Sequence, residues 1–151
     1  MERTEIVTLT SMCMISDDNG NVLVLNKVNN SYTGITFPGG HVEKGEPFTS
    51  AIIREVYEET GLHIKHPILC GIYNWMYEDG SRYIVMIYKT SEFTGELKSS
   101  EEGEVFWIPL SEFGHMNLAE GMSEVLEICQ EDEFAEVFMY QEKGQWIEML
   151  L

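Results

Sequence analysis

Residues 5–15, EIVTLTSMCMI, mix apolar and β-branched positions with few polar ones and lead to Asp17-Asp18-Asn19-Gly20, a pattern that predicts a strand closed by a tight turn. Residues 22–28 read as a second strand, so the two are expected to form a hairpin. A polar loop over 29–34, a short strand over 35–37 and a break at Pro38-Gly39-Gly40 follow. At Pro47 the period changes. Proline suits a first helical position because its missing N–H would be unpaired there anyway. Phe48, Ile52 and Val56 then recur at i, i+4 and i+8 as a buried stripe, and Gly61 fits a left-handed helix cap. Residues 64–77 and 82–90 flank Glu78-Asp79-Gly80-Ser81 as a further hairpin, and 104–109 form a short strand. Ser111 is placed to cap a short helical turn. Residues 119–130 read as an amphipathic helix with Met122, Val125, Leu126 and Cys129 inward, and the tail turns at Lys143-Gly144 as a last hairpin. Strands, a central helix, more strands and a late helix predict an α/β fold with a mixed sheet between helices.

The other face of the helix from Pro47 changes the picture from fold to chemistry. Glu55, Glu58 and Glu59 stand at i, i+3 and i+4, so three carboxylates share one face, which periodicity places toward solvent. Like charges at that spacing weaken an isolated helix. A row of oxygens is, however, what a hard cation such as Mg²⁺ takes as ligands, usually shared with substrate phosphates.

The wider window, 40–62, has the form G-x5-E-x7-R-E-(aliphatic)-x-E-E-x-G-(aliphatic), set by Gly40, Glu46, Arg54, Glu55, Val56, Glu58, Glu59, Gly61 and Leu62. Chance produces it in roughly one such chain per million. It resembles the Nudix box without a departure. That resemblance implies an α/β/α sandwich and cleavage of a diphosphate linkage with Mg²⁺, Mn²⁺ being the alternative ion. It makes Glu55, Glu58 and Glu59 the main metal ligands and gives the Gly40 carbonyl to a cation. Glu46 would buttress the loop–helix turn or reach a metal through water, and Arg54 would orient a glutamate by ion pairing. A general base would come from this helix or from the acidic loop before Trp107, where Glu101, Glu102 and Glu104 are candidates. Glu101 best matches an extra glutamate of the MutT branch.

Composition narrows the partners. The chain of 151 residues is long enough for a single core, so one domain over 1–151 is expected, with an extension from about 134. Its net charge of −17 is uneven: 11 acids face 7 bases over 1–91, and 15 face 2 over 92–151. So acidic a surface argues against nucleic-acid polymers, whose binding rests on Lys and Arg. A small anion would be repelled too, unless cations stood between it and the carboxylates. Cys13, Cys70 and Cys129 are far apart and in no CxxC arrangement, and they read as reduced thiols. With no apolar run near 18 residues and no basic-then-apolar start, the expectation is a cytoplasmic protein with no membrane span or secretory signal. Monomer and homodimer both stay open.

Outside the box, residues 13–15, 37–46, 79–90 and 99–110 resemble 8-oxo-dGTP diphosphatases of the MutT branch. That likeness implies hydrolysis of an oxidised purine triphosphate to the monophosphate and pyrophosphate. Lys27 matches a phosphate-contacting base, the alternative being a plain surface lysine. His41, after Gly39 and Gly40 at the site entrance, would bond a phosphate or pair with a carboxylate. Asn117 lies where the branch has a base-reading asparagine, and would otherwise cap a helix from Leu118. Phe37 and Tyr73 could stack on a base or belong to the core. Two rival functions stand beside this one: hydrolysis of ADP-ribose or another nucleoside diphosphate derivative, and a Nudix-fold module that senses nucleotides without cleaving them.

Overall fold

The computed structural model describes residues 2–28 and 32–151, so part of the loop expected over 29–34 lies outside the described residues. The strands are β1 (Val7–Ile15), β2 (Asn21–Lys27), β3 (Gly34–Thr36), β4 (Gly39–His41), β5 (Leu62–Lys65), β6 (Ile68–Met76), β7 (Arg82–Thr90), β8 (Glu92–Gly95), β9 (Gly103–Pro109), β10 (Glu136–Glu142) and β11 (Gln145–Leu150). Helix α1 spans Phe48–Thr60 and α2 spans Met122–Gln130. Six strands form a mixed sheet in the order β11-β10-β6-β7-β1-β4, in which β1 with β7 and β6 with β10 are the parallel pairs. A second sheet, β3-β2-β9, and a β5-β8 pair complete the fold.

Alternation along the strands builds two core layers. Cys13, Ile15, Leu23, Leu25, Met86 and Tyr88 meet Ile52 and Val56 of α1. Met14, Val22, Val24, Val85 and Ile87 meet Met122, Val125, Ile128 and Cys129 of α2. The sheets therefore lie between the helices, as the expected α/β/α sandwich requires. Among the described residues no helix is long and apolar enough to cross a membrane.

Several elements differ from the sequence reading. The expected β1–β2 hairpin is absent: the strands touch at the Ser16–Val22 bridge and then enter different sheets. The physical reason is that β1 already has β7 along one edge and β4 along the other at Thr10–Met12. Residues 64–77 break into β5 and β6 around His66-Pro67, with His66 at φ 51°. Gly39 and Gly40, expected as a break, pair with Met12 and Ser11 as strand β4. Pro47 stands just before α1 in extended conformation. Phe48 is exposed and Ala51 takes its place in the buried stripe. Pro109, not Ser111, precedes the 3-10 turn, and α2 starts at Met122 after a left-handed Gly121. The Gly61 cap is as read, at φ 79° with its N–H on the Tyr57 carbonyl, and both later hairpins, β6–β7 and β10–β11, form.

Candidate active site

The loop between β4 and α1 is tied to the helix by one guanidinium. Arg54 donates from Nε to Glu46 Oε2 at 2.7 Å and from Nη2 to Glu46 Oε1 at 3.0 Å. The same Nη2 reaches the His41 carbonyl at 3.0 Å, and Nη1 reaches Glu55 Oε1 at 2.9 Å and Glu58 Oε2 at 3.2 Å. Glu46 also accepts the Glu43 N–H at 3.0 Å. The Arg54 hydrogen bond, helped by that N–H, holds the Glu46 carboxyl down to about 2. Arg54 is thereby held firmly protonated. A planar fork with five donors can serve so many acceptors; an ammonium could not.

The three helical carboxylates are not equally exposed, which corrects the expectation that all face solvent. Glu58 is exposed, Glu55 is partly covered, and Glu59 is only 4% exposed. The cause is β4, which lies over the Glu55–Glu59 side of α1 and whose Gly39 N–H donates to Glu59 Oε1 at 2.6 Å. Burial pushes the Glu59 carboxyl up to about 7, against the pull of that N–H and of Lys27. Burial raises Glu55 as well, opposed by Arg54. The close approach needs glycine. A Cβ at Gly40 would stand 2.3 Å from Glu55 Oε2, and one at Gly39 would stand 2.0 Å from the Ser11 carbonyl.

Among the described residues, no three carboxylate, imidazole or thiol groups converge closely enough to hold an ion with the side chains as they stand. The donor set nevertheless suits a hard cation. Glu55, Glu58 and Glu59 gather beside the glycine strand, and the buried Ser11 hydroxyl, across from Gly40, has no hydrogen-bond partner. An unpaired buried oxygen is costly and calls for a polar occupant beside it.

From this cradle a cavity of about 610 Å³ extends across the α2 face of the sheet. It brings together Lys27, Phe37, Gly39, Gly40, His41 and Glu59 from the predicted set. Phe37 is almost fully buried and stacks on Phe113 at 5.2 Å, so it serves the core as much as the cavity. Lys27 lies 3.9 Å from Glu102, whose charge also acts on Glu59. Glu101 and Glu102 themselves sit in an exposed turn outside the lining, with the Glu102 N–H on Ser100 Oγ at 3.2 Å. Asn117 is not brought in. It is exposed, outside the lining, and its carbonyl accepts the Ile35 N–H at 2.9 Å; nor does it cap α2, which begins later.

Of the cavity's aromatic wall the sequence reading named Tyr73 and missed Trp75, Tyr83 and Trp146. Trp75 and Tyr83, opposite each other on β6 and β7, stack at 4.5 Å and 12°. Tyr73 meets Trp75 edge-on at 5.4 Å, and Trp146 joins the lining from β11. The signal was present as aromatics at every second position, Tyr73, Trp75 and Tyr77, which an alternating strand puts on one face.

Comparison with known proteins agrees with this geometry. Residues 8–129 match the NUDIX domain. An uncharacterised Nudix hydrolase, YvcI, of Bacillus subtilis is 30% identical over 129 residues, covering 82% of this chain and 79% of that protein. An ADP-ribose pyrophosphatase of Methanocaldococcus jannaschii is 33% identical over 93 residues, covering 60% of this chain and 54% of that protein. The crystal structure of a MutT protein from Bacillus halodurans superposes with a TM-score of 0.79 at 26% identity, covering 95% of this chain and 97% of that one. With its box folded as a loop and helix clasped by Arg54, and with a domain match over most of its length, this chain belongs to the Nudix hydrolase family.

Proposed function

We propose that this chain is a metal-dependent nucleoside triphosphate pyrophosphohydrolase that converts 8-oxo-dGTP to 8-oxo-dGMP and pyrophosphate. Nudix hydrolases generally use divalent cations. Here Gly40, Glu46, Glu55, Glu58 and Glu59 are the proposed holders of Mg²⁺, or Mn²⁺ in its place. Bound there, the ion would neutralise phosphate charge and make a water nucleophilic near neutral pH. The chain's own groups do the rest. Lys27 and His41 contact the phosphates, Arg54 fixes the carboxylates, and Glu101 or Glu102 takes the proton from the attacking water. The stacked Trp75–Tyr83 pair receives the purine.

The observation that carries this reading is one cavity lined both by the buried Glu59 with its glycine strand and by an aromatic wall. Residues 1–151 are taken as one domain, a reading supported by the pairing of β10 with β6. The partner is a small nucleotide, not a nucleic-acid polymer, in keeping with the net charge of −17. A second reading, ADP-ribose as substrate, is favoured by the name of the archaeal relative and by the absence of Asn117 from the cavity lining.

A nucleotide panel with Mg²⁺, its products resolved by chromatography and repeated with chelator, tests the proposal. The expected result is fastest release of pyrophosphate from 8-oxo-dGTP, abolished by chelator. Faster conversion of ADP-ribose to AMP and ribose 5-phosphate would replace the first reading with the second. No turnover of any nucleotide would sink both.

A further inference from the structure

Away from the active-site cavity, two of the three cysteines meet at a local irregularity of the sheet. The β6–β7 register shifts between Leu69 and Gly71, so Cys70 is the extra residue of a bulge. Bulges turn a side chain out of the regular alternation. Cys70 is turned toward the α2 layer, where it packs against the cluster containing Cys129. The adjacent residue of each segment confirms that β6 and α2 touch here, since a Cβ at Gly71 would stand 2.9 Å from the Ile128 side chain. Cys129, in the last turn of α2, is buried, while Cys70 is half-buried and borders a second cavity of about 220 Å³ with Lys89, Ile128 and Asp132. Lys89 Nζ donates to the Cys129 carbonyl at 3.1 Å. Cys13 belongs to the other core layer, beneath α1.

This arrangement has the parts of a reactive dithiol: an accessible thiol near a cation and a buried partner against it. The contact with Cys129 and the Lys89 charge both make the Cys70 thiol more acidic, against burial and Asp132. The neighbouring Cys70 thiol and burial keep Cys129 protonated. A thiolate beside a cation is the form that reacts.

We propose that Cys70 and Cys129 are a redox-active pair which a hydroperoxide converts to a disulfide joining the β6 bulge to α2. The Cys70 thiolate attacks one peroxide oxygen and the O–O bond breaks. With hydrogen peroxide this leaves a Cys70 sulfenic acid and a hydroxide that takes up a proton as water. Cys129 sulfur then attacks the sulfenic sulfur, the S–S bond forms, and the departing hydroxide takes the Cys129 proton as a second water. Two electrons pass from the two sulfurs to the peroxide, and a thiol reductant reverses the bridge.

The test uses the full chain, treated with hydrogen peroxide, denatured and alkylated, with intact mass and peptide mapping as readouts. The expected product has lost two hydrogen atoms, links the Cys70 and Cys129 peptides, carries alkylated Cys13 and is restored by reductant. Cys129→Ser should divert oxidation to sulfenic and sulfinic acid on Cys70. Lys89→Gln should slow bridging about 3- to 10-fold. The mapping of the unaltered chain decides the matter even if a variant folds poorly. Three alkylatable thiols after peroxide, or a bridge that includes Cys13, would overturn the proposal.

Discussion

Glu59 shows how one residue can carry opposing demands. Its carboxyl is buried against β4 and takes a proton more readily in the fold than in an unfolded chain. Its contribution to stability is therefore complete below the ordinary carboxylate value and is lost as pH rises through about 7. In chelator-treated protein the wild type should lose roughly 2–3 kcal/mol more than Glu59→Gln between about pH 5 and pH 8. Urea titrations at the two pH values measure this, and parallel profiles would contradict the burial described. Glu58 is the opposite case, exposed and held by Arg54 at 3.2 Å. Glu58→Gln should lower kcat at least ~10²-fold with an unchanged melting temperature, because a lost ligand removes transition-state stabilisation without disturbing the core. Near-normal turnover would remove Glu58 from the proposed ligand set.

At the scale of elements, β4 is the short strand on which the site depends, and its two glycines serve different ends. A methyl group at Gly39 would run into the backbone of β1, which cannot yield, so Gly39→Ala should destabilise the fold by at least about 2 kcal/mol. At Gly40 the obstacle is the end of the Glu55 side chain, which can swing away. Gly40→Ala should therefore keep most of the stability and lose activity. Thermal melts paired with steady-state kinetics separate the two, and equal effects on both would refute the distinction. The sequence made α1, the Gly61 cap and the two later hairpins legible because their signals are local: a 3.6-residue stripe, a left-handed glycine, a tight turn between alternating runs. It did not reveal that β1 and β2 part company. Residues 10–15 are buried on both faces or nearly so, and a strand of that kind carries no mark of which neighbour lies beside it. For the same reason Glu59 read as exposed, since helical period cannot foresee a strand laid across one end of the face. The carboxylates, Arg54 and Gly40 were legible in spacing. The aromatic wall was legible only in its β6 part, because Tyr83 and Trp146 reach Trp75 and the cavity through long-range pairing.

For the molecule as a whole, the segment read as an extension is structural. Val137 is fully buried, β10 lengthens the central sheet beside β6, and Trp146 closes part of the cavity while 44% exposed. If Trp146 touches the base, Trp146→Ala should raise KM about 2- to 10-fold with little change in kcat. Substrate titration of the variant checks this, and an unchanged KM would take Trp146 out of the binding wall. The sheet ends at β11, which has no strand on its outer side among the described residues. An open edge invites another chain to add to it. What opposes that here is long-range repulsion between copies, each with a net charge of −17. Colloidal behaviour should then follow charge and not folding: light scattering is expected to rise as pH falls toward the isoelectric point near 4.4. Protonation of Glu59 steadies the fold over the same descent, so this one carboxyl strengthens the fold as the chain begins to leave solution.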